Sequence, residues 1–323
     1  MLFKRRPIEE VENTLLVHRI KSGDHRLKKG QLLSAADVAV LKTQAVESVY
    51  VATLEEGDVL ENIAAETLAK SIAGEATEVD RASAGRCNLR ATKAGLLVFN
   101  QQGIEGINLV YESLTVATLA PHTVVGPGQI IAKIKIIPFA VRKQHLDECI
   151  KIANNFNPVA QIKASHEKQI SLIQSSSVDT ATSTLDKTAR VTIKRIEKLN
   201  SYFMEEMRCG HDENEIAEAI TQCIQARSDI ILVIGASTIV DRGDVIPSAI
   251  ENIGGEIIHF GMPVEPGNML LLAKRGKHHI IGLPGCARSA KRNGLDLVME
   301  RLVTNTPVTA RDIMQMGLGG LLG

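Results

Sequence analysis

Five consecutive apolar residues, Ile230-Ile231-Leu232-Val233-Ile234, constrain this chain more than any other stretch. The run is too short for a buried helix, and it lacks the polar alternation of a strand with one wet face. A strand covered on both faces reads this way, and the natural home for it is a parallel sheet between layers of helix. A loop of small and hydroxyl residues follows, Gly235, Ala236, Ser237 and Thr238, and then Asp241, Arg242, Gly243 and Asp244. Small side chains let backbone N–H groups approach a ligand, and carboxylates can hold a hard cation or a polar group. Pro247 stands where the first turn of a helix tolerates a missing N–H, so a helix opening near Asp244 is expected. Asp244 then has two readings, an N-cap or a functional carboxylate.

The segment from Asp229 to Pro247, DIILVIGASTIVDRGDVIP, resembles the central motif of the molybdopterin-binding domain shared by molybdopterin adenylyltransferases and molybdotransferases. That motif is an apolar strand, a Thr-Gly-Gly-like turn and an aspartate opening the next helix. The resemblance places Asp244 on the functional aspartate. It also shows departures, with Gly235 in place of the usual Thr, and Ala236 and Ser237 on the two glycines.

Further stretches resemble the same family in the same order. Pro266-Gly267-Asn268 matches a Pro-Gly-Lys loop with Asn268 replacing the lysine, and Gly282-Leu283-Pro284-Gly285 matches a Gly-Leu-Pro-Gly turn, followed here by Arg288 and Ser289. Ser175, Ser176 and Ser177 occupy the place of a turn that approaches ligand phosphate, and Asp186-Lys187 resembles the opening of the family's first helix. Asp212 falls on an aspartate at a strand's carboxyl end. The resemblance therefore implies catalytic and Mg²⁺-holding roles for Asp212 and Asp244. It implies ligand contacts from Ser175, Ser176, Gly235, Ala236, Ser237, Thr238, Asp241, Pro266, Gly267, Asn268, Pro284, Gly285, Arg288 and Ser289. Capping explains Asp212 equally well, and simple exposure is the alternative for Arg288. Cys286 has two readings as well, a reactive thiol beside an arginine or a small buried residue. Lys29, Lys133, Lys135, Arg142 and Lys143 have two readings, contacts to an anionic ligand or solvated side chains, of which the second is favoured; His18 reads as a packed or partly exposed histidine, and His211 receives no role.

Lys+Arg and Asp+Glu are equal at 37 each, so no global field draws the chain to nucleic acid or an anionic membrane, and an anionic ligand must be met by local groups. The five cysteines stand far apart without a CxxC pair, which argues for reduced thiols and a cytoplasmic protein. The basic start, Met1 to Arg6, runs into Pro-Ile-Glu-Glu instead of an apolar core, unlike a signal peptide, and no run reaches transmembrane length.

Length and breaks predict two domains. An α+β domain over 1–145 and a linker over 146–165 lead to a three-layer α/β domain with a mostly parallel sheet over 166–308, ending in a Gly-rich tail over 309–323. In the first domain the expected elements are a strand over Thr14–Ile20, a turn at Gly23-Asp24, a helix from Ser34 through Leu41 and a strand over Val46–Val51. A helix over Gly57–Ala73, several strands between Leu96 and Lys135, and a helix over His145–Asn154 follow. In the second, strands are expected over Gln169–Ile173 and Ser201–Met207. A helix burying Ile216, Ala219, Ile220, Cys223 and Ile224 comes next, then a hairpin-like pair over Leu270–Ala273 and His279–Leu283, and a last helix from about Ala287.

The resemblance implies a protein that binds molybdopterin or a late molybdenum-cofactor intermediate and works in cofactor assembly, by Mg²⁺-dependent adenylyl transfer or molybdate insertion. The competing reading is a carrier for the finished cofactor. A transferase is favoured, with nucleotide or molybdate as second ligand, a homo-oligomeric state, and a nucleotidyltransferase as candidate partner.

Overall fold

The computed structural model describes residues 1–22 and 25–323; the turn expected at Gly23-Asp24 lies outside them. The chain forms two compact units, Met1–Lys163 and Ala164–Gly323.

The first unit is α+β. The strand order Leu2–Pro7, Ser48–Thr53, Leu15–Leu16 makes one small antiparallel sheet. A second has the order Leu114–Thr118, Ile130–Ile136, Arg86–Ala91, Thr77–Val79. The expected strand over Thr14–Ile20 is only Leu15–Leu16, and a separate short strand begins at Ile20. Ser34 and Asp37 form a reciprocal capping box that starts the helix Ala35–Thr43. The helix placed over Gly57–Ala73 begins at Glu61, because Asp58–Leu60 pairs instead with Ala140–Arg142.

Two further differences are physical in origin. Gln101–Val110, expected among strands, is a helix capped by Asn100. Its glycines are not breakers but contact points: a Cβ on Gly103 would lie 3.2 Å from Phe156 Cβ, and one on Gly106 3.2 Å from Ile152 Cγ2. The segment 146–165, expected to be a linker with a helix at its start, carries regular structure. It begins inside the helix Lys143–Asn155 and continues into the strand Ala160–Lys163, which pairs with Gly95–Phe99.

The second unit is a six-stranded sheet between helices. Its elements are β1 (Gln169–Ser176), α1 (Thr182–Lys198), β2 (Tyr202–Gly210), α2 (Glu213–Gln225), β3 (Ile230–Ile234) and α3 (Val245–Asn252). They continue with β4 (Glu256–Phe260), β5 (Leu271–Arg275), β6 (His278–Gly282), α4 (Gly294–Val303) and α5 (Ala310–Met314). The strand order is β2-β1-β3-β6-β5-β4, with β2, β1, β3 and β6 parallel and β5 antiparallel to both neighbours.

β3 shows why the sheet is central. Ile230, Leu232 and Ile234 join a core with α1, α4 and α5, while Ile231 and Val233 join the opposite core with α2 and α3. All five side chains are buried, and each adds about 1.5–3 kcal/mol of apolar burial. Three layers result, as the uninterrupted run requires. Ile216, Ala219, Ile220 and Cys223 of α2 are buried on one stripe, with Ile224 at its margin.

The last long helix starts later than expected. Residues Gly285–Arg288 form a 3-10 turn, and α4 opens at Gly294 behind an Asn293–Asp296 capping box. Arg288, Lys291 and Arg292 therefore precede the helix and do not occupy its first turn. The Gly-rich end is also built in: Met316 is buried, and the Leu322 N–H donates to Glu265 O at 2.8 Å. No helix among the described residues is long and apolar enough to cross a membrane.

Candidate functional site

Parallel strands β1, β2, β3 and β6 end at one edge of the sheet, where an open α/β sheet collects ligand groups. The register sets what meets there. Ser175 and Ser176 of β1 lie opposite Cys209 and Gly210 of β2, so the next residue of each chain segment turns out at the same level.

His211 is the hub of this edge. Its Nδ1 lies 2.8 Å from the Oγ of fully buried Ser175, and its Nε2 lies 3.2 Å from the Oγ of exposed Ser237. Gly235 makes this possible. A Cβ there would come 3.2 Å from His211 Cε1 and 2.6 Å from Ser237 O, so a side chain would push on the ring and on the loop backbone. The rebuilt turn Gly235-Ala236-Ser237 is thus matched to a histidine.

Arg288 closes the other side. Its Nη1 donates to Thr188 Oγ1 at 2.9 Å and its Nη2 to Gly235 O at 3.0 Å, and it forms no ion pair among the described residues. Burial lowers its pKa, the only cause acting on it. A half-buried guanidinium held by two neutral oxygens keeps its charge uncompensated, which suits an incoming anion. By contrast Arg292, in the same segment, is paired with Glu300.

Arg195, from α1, holds the segment carrying Arg288 in place. It is 7% exposed, and it donates to the carbonyls of Ala287 (3.1 Å), Ser289 (3.0 Å) and Lys291 (3.3 Å) and to Asp296 Oδ1 (2.7 Å). Gly285 reaches the same edge, where a Cβ on it would lie 3.6 Å from Thr238 Oγ1. Pro284 is buried behind it.

The two aspartates act as caps. Asp212 Oδ1 accepts from the N–H groups of Asn214 and Glu215 at 2.8 and 3.2 Å. Asp244 accepts from Val245 N–H at 2.7 Å with Oδ1 and from Val240 N–H at 3.1 Å with Oδ2, so both of its oxygens bind backbone. Asp241 turns inward on its own loop, accepting from Gly243 N–H at 2.8 Å. Among the described residues no three His, Cys, Asp or Glu side chains come together as a metal cage. Both carboxylates accept backbone N–H groups at helix starts.

Other expected residues have structural duties. Gly267, at φ +135°, packs so closely on α4 that a Cβ would lie 2.4 Å from Gly294 N, and Pro266 O accepts from Gly294 N–H at 2.9 Å. Asn268 is exposed, and its backbone carbonyl accepts from Met262 N–H. Ser176 Oγ donates to Cys209 O at 3.4 Å. Ala236 is half-buried in the loop before Ser237, and Ser289 is exposed, its Oγ accepting from Lys291 N–H. Burial raises the Cys286 thiol above its ordinary pKa, so the reactive-thiol reading gives way to that of a small, partly buried residue.

Sequence reasoning left out His211, Thr188 and Arg195. Thr188 and Arg195 carried a faint signal, since they fall on the same α1 stripe as buried Ala189, Thr192 and Ile196.

Residues 172–304 match the family model described as "Probable molybdopterin binding domain", a family of molybdenum-cofactor biosynthesis. The second unit is a member of that family. The match begins inside β1 of this molybdopterin-binding domain and ends just after α4, so it spans every element of the edge described above. A comparison with curated proteins found no match.

Among solved structures, the CinA protein of Thermoplasma acidophilum is 15% identical and covers 42% of this chain and 98% of its own, with a TM-score of 0.33. The molybdopterin biosynthesis MoeA protein of Pyrococcus horikosii is 10% identical over 97% of this chain and 75% of its own, with a TM-score of 0.31. The molybdopterin biosynthesis enzyme MoaB of Thermus thermophilus is 15% identical over 43% and 98%, with a TM-score of 0.30.

Proposed function

We propose that the molybdopterin-binding domain binds molybdopterin, or a late intermediate of the molybdenum cofactor, with the ligand's phosphate on Arg288, and that the chain acts in cofactor assembly. The observation that carries this reading is the half-buried Arg288 guanidinium, held by Thr188 and Gly235 and facing no carboxylate. Desolvation raises the energy of that charge, and a phosphate offsets it with charge-assisted hydrogen bonds. Thr238 and Gly285 lie side by side at this edge, and the end of β1 and the loop after β3 supply the hydroxyls of Ser176 and Ser237. Catalysis on such a ligand would come from positioning and electrostatics, with Asp244 orienting the loop that carries Ser237.

A carrier role is the second reading. Asn268 stands where the family's lysine would be, and both Asp244 oxygens are engaged by backbone. Titration of the full chain with molybdopterin and its adenylylated form, with and without Mg²⁺, followed by turnover with ATP or molybdate, separates the two. For a transferase, turnover is expected in the unaltered chain and lost in Asp244→Asn, which keeps the cap on Val245 N–H but sets an amide NH₂ against Val240 N–H and so loosens the loop. Binding with no turnover in the unaltered chain identifies a carrier. Unchanged turnover in Asp244→Asn removes Asp244 from the chemistry.

A further inference from the structure

At the opposite edge of this sheet, where β1, β3 and β6 begin, a cation and a carboxylate share one cavity without pairing. Backbone bonds set them side by side: Asp229 N–H donates to Gln169 O at 2.7 Å and His279 N–H to Asp229 O at 3.0 Å, which brings Lys168, Asp229 and His279 together at the strand starts. With Leu302, Asn305 and Val308 they line a cavity of about 280 Å³, near the lower end of the roughly 300–1,000 Å³ typical of small-molecule sites. A compact ligand suits that size.

Among the described residues the Lys168 ammonium has one partner, the neutral Asn305 Oδ1 at 2.8 Å, and the Asp229 carboxylate has one, the Gln169 N–H at 2.9 Å from Oδ2. Asn305 ends α4 in the left-handed region, at φ 51°, which asparagine tolerates, and from there its amide reaches Lys168. The His279 ring makes no hydrogen bond among the described residues. Burial, then Lys168 and Lys274, hold its pKa below the ordinary histidine value against the opposing pull of Asp229, so it is a neutral ring with one N–H to give. Ile230, Leu302 and Val308 are buried and make the floor apolar. A separated cation and carboxylate over an apolar floor match a ligand that carries both opposite charges beside an aliphatic group.

We propose that this cavity is a second ligand site, for a free α-amino acid with an aliphatic side chain. Its carboxylate lies on Lys168 and the His279 N–H, its ammonium on the unengaged oxygen of Asp229, and its side chain on Ile230, Leu302 and Val308. Exposed Lys277, which also lines the cavity, adds positive charge on the carboxylate's behalf.

Calorimetric titration of the full chain with L-leucine tests the site, beside 4-methylpentanoate, which lacks the ammonium, and 3-methylbutylamine, which lacks the carboxylate. Expected is saturable binding of one leucine per chain, with each partial ligand about 10- to 100-fold weaker. Lys168→Met weakens leucine by a similar factor at an unchanged melting temperature. Asp229→Asn keeps an acceptor for the Gln169 N–H and weakens leucine while leaving 4-methylpentanoate unaffected, a split that a general loss of fold would not produce. No saturable leucine binding, or leucine affinity indifferent to both substitutions, overturns the site. Equal affinities for leucine and 4-methylpentanoate overturn the amino-acid assignment. No pterin is needed, so this result is separate from that of the molybdopterin titration.

Discussion

Replacing Arg288 with glutamine lowers the affinity for molybdopterin about 100-fold, equivalent to about 2.7 kcal/mol. One charge-assisted hydrogen bond to a phosphate accounts for a loss of that size, at about 1.5–3 kcal/mol for a bond to a charged group. Glutamine still donates to Thr188 Oγ1 or Gly235 O, so the loop keeps a partner and the fold is spared. Arg288→Lys recovers only part of the affinity, because an ammonium restores charge without the planar fork that meets Thr188, Gly235 and phosphate together. Calorimetric titration of the three proteins checks this. Equal affinities for all three would mean that the phosphate lies elsewhere.

Arg195→Met destabilises the second unit by about 3–5 kcal/mol, the cost of breaking a buried ion pair at one end. The arginine ties α1 to Asp296 and to the carbonyls of Ala287, Ser289 and Lys291; its loss removes the donor to Asp296 Oδ1 and to the Ala287 and Ser289 carbonyls, while Asn293 still donates to Asp296 Oδ2 and to Lys291 O. Methionine matches the stem but supplies no donor. Urea denaturation followed by circular dichroism reads the change, and a loss under about 1 kcal/mol would show that solvent replaces the arginine at little cost. The effect reaches the site as well, since the segment that loosens carries Arg288.

Much of the sheet was legible because burial writes itself into sequence. β3 had to be covered on both faces, and the structure divides its five residues between two cores. The caps were legible too: Ser34, Asp212 and Asp244 stand at helix starts as their side chains allow. Glycines were harder to read. Gly103 and Gly106 looked like breaks, whereas they permit two helices to touch through Phe156 and Ile152. The start of α4 was misplaced because Arg288 and Lys291 looked like a helix's first turns, while Asn293 and Asp296, the true cap, carried no stronger signal.

The site was legible residue by residue but not as an arrangement. Ser175, Gly235, Ser237, Thr238, Gly285 and Arg288 do come together at one edge. His211 could not be placed from sequence, since its partners depend on the register of β1 against β2 and on the path of the loop after β3. Asp212 and Asp244 were given metal-holding roles on resemblance; in the structure each accepts backbone N–H groups at a helix start. Arg195 escaped because a buried cation with four partners looks, in sequence, like any other arginine on a basic helix.

The most direct test of phosphate-anchored pterin binding is a titration of the unaltered chain with molybdopterin and with its dephosphorylated form under identical reducing conditions. Expected is saturable binding of one molybdopterin per chain, with affinity about 100-fold weaker once the phosphate is removed. Equal affinity for the two forms, or binding of neither, would contradict it.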